Sequence, residues 1–266
     1  MEEAEPKIRK SRASSSKDAR EYRQRGYDDA LEFAKLIGME KDYINDLKAK
    51  KDVIDPSGDT HSVKGGVKKW QIFLYGRGRF ESDITFRVMN GIGEILIECI
   101  DAFPESFSEY KRDKATPKKR LRSAMVKLKD KLKDKTNLEA FLNKSIFNVG
   151  EVEYLTVKHE GIFHVFHRDD VLKMFCDNLE VCNSSAAGAG TTPEQKVLLR
   201  YKGVNLGEIE MRNDSKVHYR EIRFNMIKPK AMDLLFEKIP KTGTYGKENK
   251  IFIYGKASKR FGRWKR

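Results

Sequence analysis

The apolar residues of this chain change their spacing along its length, and that change restricts the fold more than any other feature. In "TPKKRLRSAMVKLKDKLKDKTNLEAFLNKSIF", Leu121, Met125, Leu128 and Leu132 recur on one side of a helix. Earlier, Tyr27, Ala30, Leu31, Ala34 and Ile37 share a helical face, and Gly38 is placed to end it. Elsewhere the spacing is that of strands. Trp70–Tyr75 is a strongly apolar strand, and "EVEYLTVKHEGIFHVFH" reads as a hairpin turning at Glu160-Gly161, with a short helix following from Asp169. After a turn at Lys202-Gly203, Ile209 and Met211 alternate with Glu208, Glu210 and Arg212. "RFESDITFRVMNGIGEILIECIDAF" reads as mixed strand and helix. The chain is therefore one of mixed α and β structure, without an internal repeat.

Its 266 residues suffice for one large domain or two small ones. The formal net charge of +14 favours a polyanionic partner, nucleic acid before an anionic membrane surface. No apolar run approaches the roughly 20 residues that span a bilayer, so no membrane partner is expected. The first residues lack the apolar core of a secretory signal. Cys99, Cys176 and Cys182 have no metal-ligand spacing and read as buried thiols in a reducing compartment, which makes a cytoplasmic location the expectation. His159, His164 and His167 cluster in sequence but sit on a β pattern, where core or surface histidines are expected rather than a zinc site.

Four stretches follow from composition. Residues 1–24 are polar and charged and read as a flexible arm, and 25–182 as the core. The small and glycine-rich 183–193 reads as a flexible loop. Residues 194–266 are β-rich and read as the DNA-contacting part, packed on the same domain.

The stretch "KDVIDPSGDTHSVKGGVKKWQIFLYG" carries the densest chemistry. "DVID" is an apolar-centred strand, "PSGD" supplies a turn, and "THSVK" returns antiparallel. Asp52 and Lys64 fall near the open end. A carboxylate there can hold a divalent metal, and a lysine can orient a water and stabilise charge on a phosphate. In these residues the chain resembles the PD-(D/E)XK nucleases, the fold of most type II restriction endonucleases. Asp52 matches the family's first metal-binding position and Ser62-Val63-Lys64 its second element, while Gln71 and Tyr75 reproduce a Gln-x-x-x-Tyr element of some branches. The resemblance covers about 25 residues closely.

The resemblance implies an α/β fold with a mixed central β-sheet flanked by helices, a Mg²⁺ cofactor, double-stranded DNA as partner and a homodimer. It implies Asp52 as metal ligand, Lys64 as the group that activates water, and Gln71 in support. Ser62 stands where the family usually has a second acid, so a displaced acid is required. Glu81 is the first candidate donor, as metal ligand and catalytic residue, and Glu32 the second; Asp55 and Asp59 are also near.

A second cluster competes. Glu208 and Glu210 point the same way on one strand, downstream of Glu194 and Lys196, and a few restriction enzymes use Glu-x-Glu at this point of the motif. Cross-strand ion pairs with Arg200, Arg212 or Arg223 are the plainer reading. In "MRNDSKVHYREIRF", Arg212, Asn213, Ser215, Lys216, His218, Tyr219 and Arg220 are types that contact base edges and phosphates, and Arg77 and Arg79 in "GRGR" form a second phosphate-contacting loop. The lysines between 118 and 133 read as a solvated face. The leading expectation is a type II restriction endonuclease cleaving duplex DNA with Mg²⁺. The alternatives are a non-catalytic nucleic-acid-binding protein and a structure-specific or repair nuclease of the same core.

Overall fold

Backbone pairing sorts the strands into two sheets that divide the chain differently from its sequence order. The structure is a computed structural model that describes residues 16–45, 52–186, 192–212, 216–246 and 248–264. Its elements begin with α1 (Ser16–Leu36), α2 (Glu40–Asn45), β1 (Asp52–Ile54), β2 (Thr60–Lys64) and β3 (Lys69–Tyr75). Helices α3 (Arg77–Ser82), α4 (Ile84–Arg87), α5 (Ile92–Asp101), α6 (Phe107–Arg112), α7 (Ala115–Lys133) and α8 (Lys135–Phe147) follow. Then come β4 (Tyr154–His159), β5 (Ile162–His167), α9 (Arg168–Asn178), β6 (Glu180–Asn183), β7 (Lys196–Tyr201), β8 (Val204–Arg212) and β9 (Glu221–Ile227). The last are α10 (Lys228–Lys238), β10 (Lys241–Tyr245), β11 (Ile251–Tyr254) and a 3-10 turn, Gly255–Lys259.

One sheet has the order β1-β2-β4-β5-β11-β10 and is mixed, with β2 parallel to β4 and β11 parallel to β5. The other, β3-β9-β8-β7-β6, is antiparallel throughout. The protein is thus of mixed α/β structure. Neither sheet is confined to one part of the sequence: β3 pairs with β9 across more than half the chain, and β11 with β5 across about a third of it.

The larger core lies between the sheets and takes in residues of α5, α7, α8, α9 and α10 together with Leu155, Val157 and Phe166 of the mixed sheet and Phe73, Phe224 and Ile209 of the antiparallel one. A smaller core packs Phe33 and Ile37 of α1, with Phe261, onto the opposite face of the mixed sheet, at Val53, Phe163 and Val165. Both faces of the mixed sheet are therefore covered. The antiparallel sheet gives its apolar face to the larger core, and its alternate residues point away from it.

The turns follow local chemistry. Glu160-Gly161 and Lys202-Gly203 both have positive φ, as type I′ hairpins need, and they join β4 to β5 and β7 to β8. Other expectations need correction. The first helix begins at Ser16, not Tyr27, so the expected arm is helical from that residue, and its earlier part lies outside the described residues. "RFESDITFRVMNGIGEILIECIDAF" contains no strand: Ile92, Ile95, Leu96, Cys99 and Ile100 are buried at helical spacing in α5, and Asp83 caps α4 by accepting from the Thr85 amide. The long helix ends at Lys133, because Asp134 leaves helical geometry and caps α8 by accepting from the Asn137 amide at 2.9 Å.

Candidate functional site

The hairpin resolves into two sets of residues. The first faces inward. Asp55 accepts hydrogen bonds from the Ser57 and Asp59 amides, and its other oxygen lies 3.3 Å from His61 Nε2. The His61 Nδ1 is 2.9 Å from Thr156 Oγ1, and Asp59 takes Tyr154 OH at 3.2 Å and Arg260 Nη2 at 2.7 Å. His61 is wholly enclosed, and burial lowers its pKa, although the Asp55 hydrogen bond opposes that shift. Burial, with Asp59 beside it, raises the Tyr154 hydroxyl. Asp55 and Asp59 are thus spent on a buried polar network that ties β1, β2 and β4 to the C-terminal turn.

The second set is the expected nuclease constellation, in which the register sets Asp52 near Lys64 on β1 and β2 while Glu81, Glu32 and Gln71 lie elsewhere. Asp52 is the backbone partner of Ser62, and Lys64 lies two residues further along β2, opposite Val157. The Asp52 side chain lies outside what is described. Glu81 sits on α3, beyond the far end of β3 from Lys69, a strand of about 20 Å. It is exposed and paired with Arg77 at 2.7 Å. Glu32 binds Lys158 Nζ at 2.6 Å, on the α1 side of the mixed sheet, whereas Val157 beside it belongs to the other core. Gln71 lies on β3, in the other sheet, opposite Asn225.

That position brings Gln71 into a different cluster. Asn225 of β9 pairs in turn with Glu208 of β8, so Gln71, Asn225 and Glu208 form one row across the antiparallel sheet. The next row holds Arg223, Glu210 and Lys196. Lys69 Nζ lies 2.5 Å from Glu208, Lys196 Nζ lies 3.0 Å from Glu208 Oε2 and also contacts Glu210, and Arg223 Nε donates to Glu210 at 3.1 Å. This is the face of the sheet turned from the core. Glu208 and Glu210 are nonetheless only 7% and 8% exposed, because the three cations cover them. Burial pushes the Glu208 carboxyl up, but hydrogen bonds from Lys69 and Lys196 outweigh it and hold the pKa low. Burial lowers and the two carboxylates raise the Lys196 ammonium, with a net rise. The expected ion pair with Arg223 is present; Lys69 and Lys196 were not foreseen as its partners. Residue spacing along β8 showed the two glutamates and the Lys202-Gly203 turn brings β7 to them, but only strand order brings β3 and β9.

Glu208 and Glu210 are the side chains here that could hold a cation, and in this structure Lys69, Lys196 and Arg223 occupy them. Lys196 places one positive charge between two carboxylates two residues apart on a strand. A divalent ion bound through one or two carboxylates, water and substrate phosphate needs no further protein cage. Among the described residues no group of three acid, histidine or cysteine side chains is arranged to hold a metal ion.

The expected DNA contacts divide likewise. Arg77 pairs with Glu81 and Asp101, and Arg79 pairs with Asp83 at 3.2 Å and lies over the Tyr75 ring. Arg220 lies 3.5 Å from Asp101 and 3.6 Å from Glu105; with Arg77 it lines a shallow cleft of about 210 Å³. Tyr219 is not a surface reader: it is buried against Tyr110 and Phe107, and its hydroxyl donates to the Pro104 carbonyl at 3.0 Å. His218 pairs with Glu221 at 2.7 Å, Lys216 is exposed, and Arg212 is half-buried at the end of β8. Asn213 and Ser215 lie outside the described residues.

No family model, no curated protein and no solved structure matches this chain. No helix among the described residues is long and apolar enough to cross a membrane.

Proposed function

We propose that this protein is a Mg²⁺-dependent endonuclease that cleaves double-stranded DNA at a specific site, in the manner of type II restriction endonucleases, and that its chemistry resides at Glu208 and Glu210 rather than in the hairpin. The observation that carries this reading is the convergence of two carboxylates and Lys196 on the outward face of the antiparallel sheet. Glu208 and Glu210 would hold the ion, which supplies a polarised phosphate oxygen and an acidified water when bound. Lys196 would then leave its place between them and orient the attacking water or neutralise the phosphate. Gln71 and Asn225, in the Glu208 row, offer amides to the same surface. Lys69 and Arg223 fix the two carboxylates laterally and keep the face electropositive toward a polyanion. A homodimer would suit a two-fold symmetric site.

A second reading has its own observation. Each glutamate already has two cationic partners, so the cluster is also complete as a cross-strand ion-pair network on a sheet that binds nucleic acid without cutting it. One experiment separates the two. A long mixed-sequence duplex is incubated with the protein in Mg²⁺ and in EDTA. Discrete fragments in Mg²⁺ alone support the nuclease; a smear keeps cleavage and removes site specificity. Intact DNA in both, with an equal gel shift, supports the binding protein.

A further inference from the structure

The most cationic element of the fold is α7, which lies apart from the carboxylates. Its 19 residues hold eight Lys or Arg and a single acid, Asp130. The apolar side of the helix, Leu121, Met125, Leu128 and Leu132, is fully committed to the larger core. Outside it, Lys118, Arg122, Lys129 and Lys133 recur at helical intervals and form a stripe about 22 Å long. Lys119, Arg120 and Lys133 are exposed and have no hydrogen-bond or ion-pair partner among the described residues. Arg122 pairs with Glu194 and Lys127 with Glu98, so acids from elsewhere reach only part of the ridge.

This arrangement is unfavourable for the helix alone. Lys118 and Arg122, Lys127 and Lys131, and Lys129 and Lys133 are like-charge pairs at i,i+4. The first turn of α7 contains no acid, although a helix N-terminus favours negative charge. Asp113, just before it, caps the Ala115 and Thr116 amides and lies close enough to Lys119 to interact with its charge, which leaves one acid for the three cations Lys118, Lys119 and Arg120 in the first turns. A bound polyanion would relieve each of these repulsions.

We infer that the outward ridge of α7 is a second nucleic-acid surface, which holds the sugar–phosphate backbone of a duplex. A straight ridge of about 22 Å is long enough to meet several phosphates of one strand before the strand winds away from it. A membrane fits less well, because the apolar side of α7 is in the core and the helix exposes no large apolar residue. The helix packs behind β6 and β7, with its apolar residues in the core that the sheet's other face closes, so it lies across the sheet from Glu208 and Glu210. The inference therefore does not rest on cleavage at the carboxylates.

The test is duplex binding by the full chain in EDTA, read by fluorescence anisotropy across a salt series. It compares wild type, K118Q/K119Q/R120Q/K133Q and a control of equal charge, K173Q/K202Q/K238Q/K250Q. The α7 variant is expected to lose at least about tenfold in affinity at 0.1 M salt. Its slope of log affinity against log salt should flatten by about 0.9 for each phosphate contact removed. The control should lose less than about threefold, and circular dichroism should show both variants folded. Equal losses in the two variants would overturn the inference, since net charge alone would then explain binding. So would duplex binding unchanged in the α7 variant while binding to phosphatidylserine vesicles is lost. A protein that never cleaves DNA yet shows the α7-specific loss would refute the nuclease reading and leave this one standing.

Discussion

Lys144→Met tests whether a buried ion pair anchors the helices beneath the antiparallel sheet. Asp83 and Lys144 lie 2.8 Å apart with side chains only 9% and 8% exposed. Asp83 also accepts from the Thr85 amide at 3.1 Å and lies 3.2 Å from Arg79, while Lys144 donates to Asn148 at 2.8 Å and sits over the Phe86 ring. Removing the ammonium leaves the carboxylate with one amide and a half-exposed guanidinium. Breaking a buried pair costs about 3–5 kcal/mol, and the two surviving partners place this case near the lower end. For a chain of this size that is a fall in Tm of about 6–12 °C. Burial raises the Asp83 pKa, but Lys144, the Thr85 amide and Arg79 together bring it below the usual carboxylate value. The pair's contribution is therefore full above the unfolded pKa, near 3.9, and is lost as pH falls through the folded value. Urea unfolding followed by far-UV circular dichroism at pH 7 and pH 3 measures both effects. The wild-type advantage should narrow at the lower pH, and D83N/K144M should recover part of the loss. A variant within about 1 kcal/mol of wild type at pH 7, or a double variant no better than K144M, would refute the argument.

Acid should also weaken the protein through its enclosed histidines. Burial and the neighbouring His159 charge lower His164 to about 4, so its neutral form is the folded one. Stability from this group is complete above the unfolded pKa of about 6.5 and is lost as pH falls toward the folded value, about 2 kcal/mol by pH 5. Unfolding free energies measured from pH 8 to pH 5 should show that slope, reduced in His164→Asn; an unchanged slope in the variant would exclude His164 as its source. Phe261→Ala removes a fully buried ring that touches Phe33, His61, Tyr154 and Trp264, and should cost about 3–5 kcal/mol by urea unfolding. A cost below about 1 kcal/mol would mean that the C-terminal turn is not part of the smaller core.

Elements whose chemistry is local were legible in the sequence. The hairpins at Glu160-Gly161 and Lys202-Gly203, the stop at Gly38 and the apolar stripe of α7 each depend on residues a few positions apart. What depended on strand partners was not. "WQIFLY" looked continuous with the hairpin before it, yet the four residues 65–68 carry the chain from one sheet to the other, where Lys228 fixes the crossing by donating to the Gly66 carbonyl at 2.6 Å. Asp55, Asp59 and His61 have the composition of a metal site, and only the pairing of β2 with β4 shows that Thr156 and Tyr154 occupy them. Glu208 and Glu210 were visible as a pair on one strand. Lys196 reaches them across the Lys202-Gly203 hairpin, whereas Lys69 comes from a strand 139 residues before Glu208, a separation that no spacing rule spans.

The central claim is that Glu208 and Glu210, not the hairpin, carry metal-dependent cleavage. The most direct measurement is the single-turnover cleavage rate of one duplex in Mg²⁺ by wild type, E208Q/E210Q and K64A. The account predicts a loss of at least about 100-fold for the double glutamine variant, which keeps the side-chain volumes, and a rate within about threefold of wild type for K64A. Cleavage retained by E208Q/E210Q and lost in K64A would contradict it and return the chemistry to the hairpin.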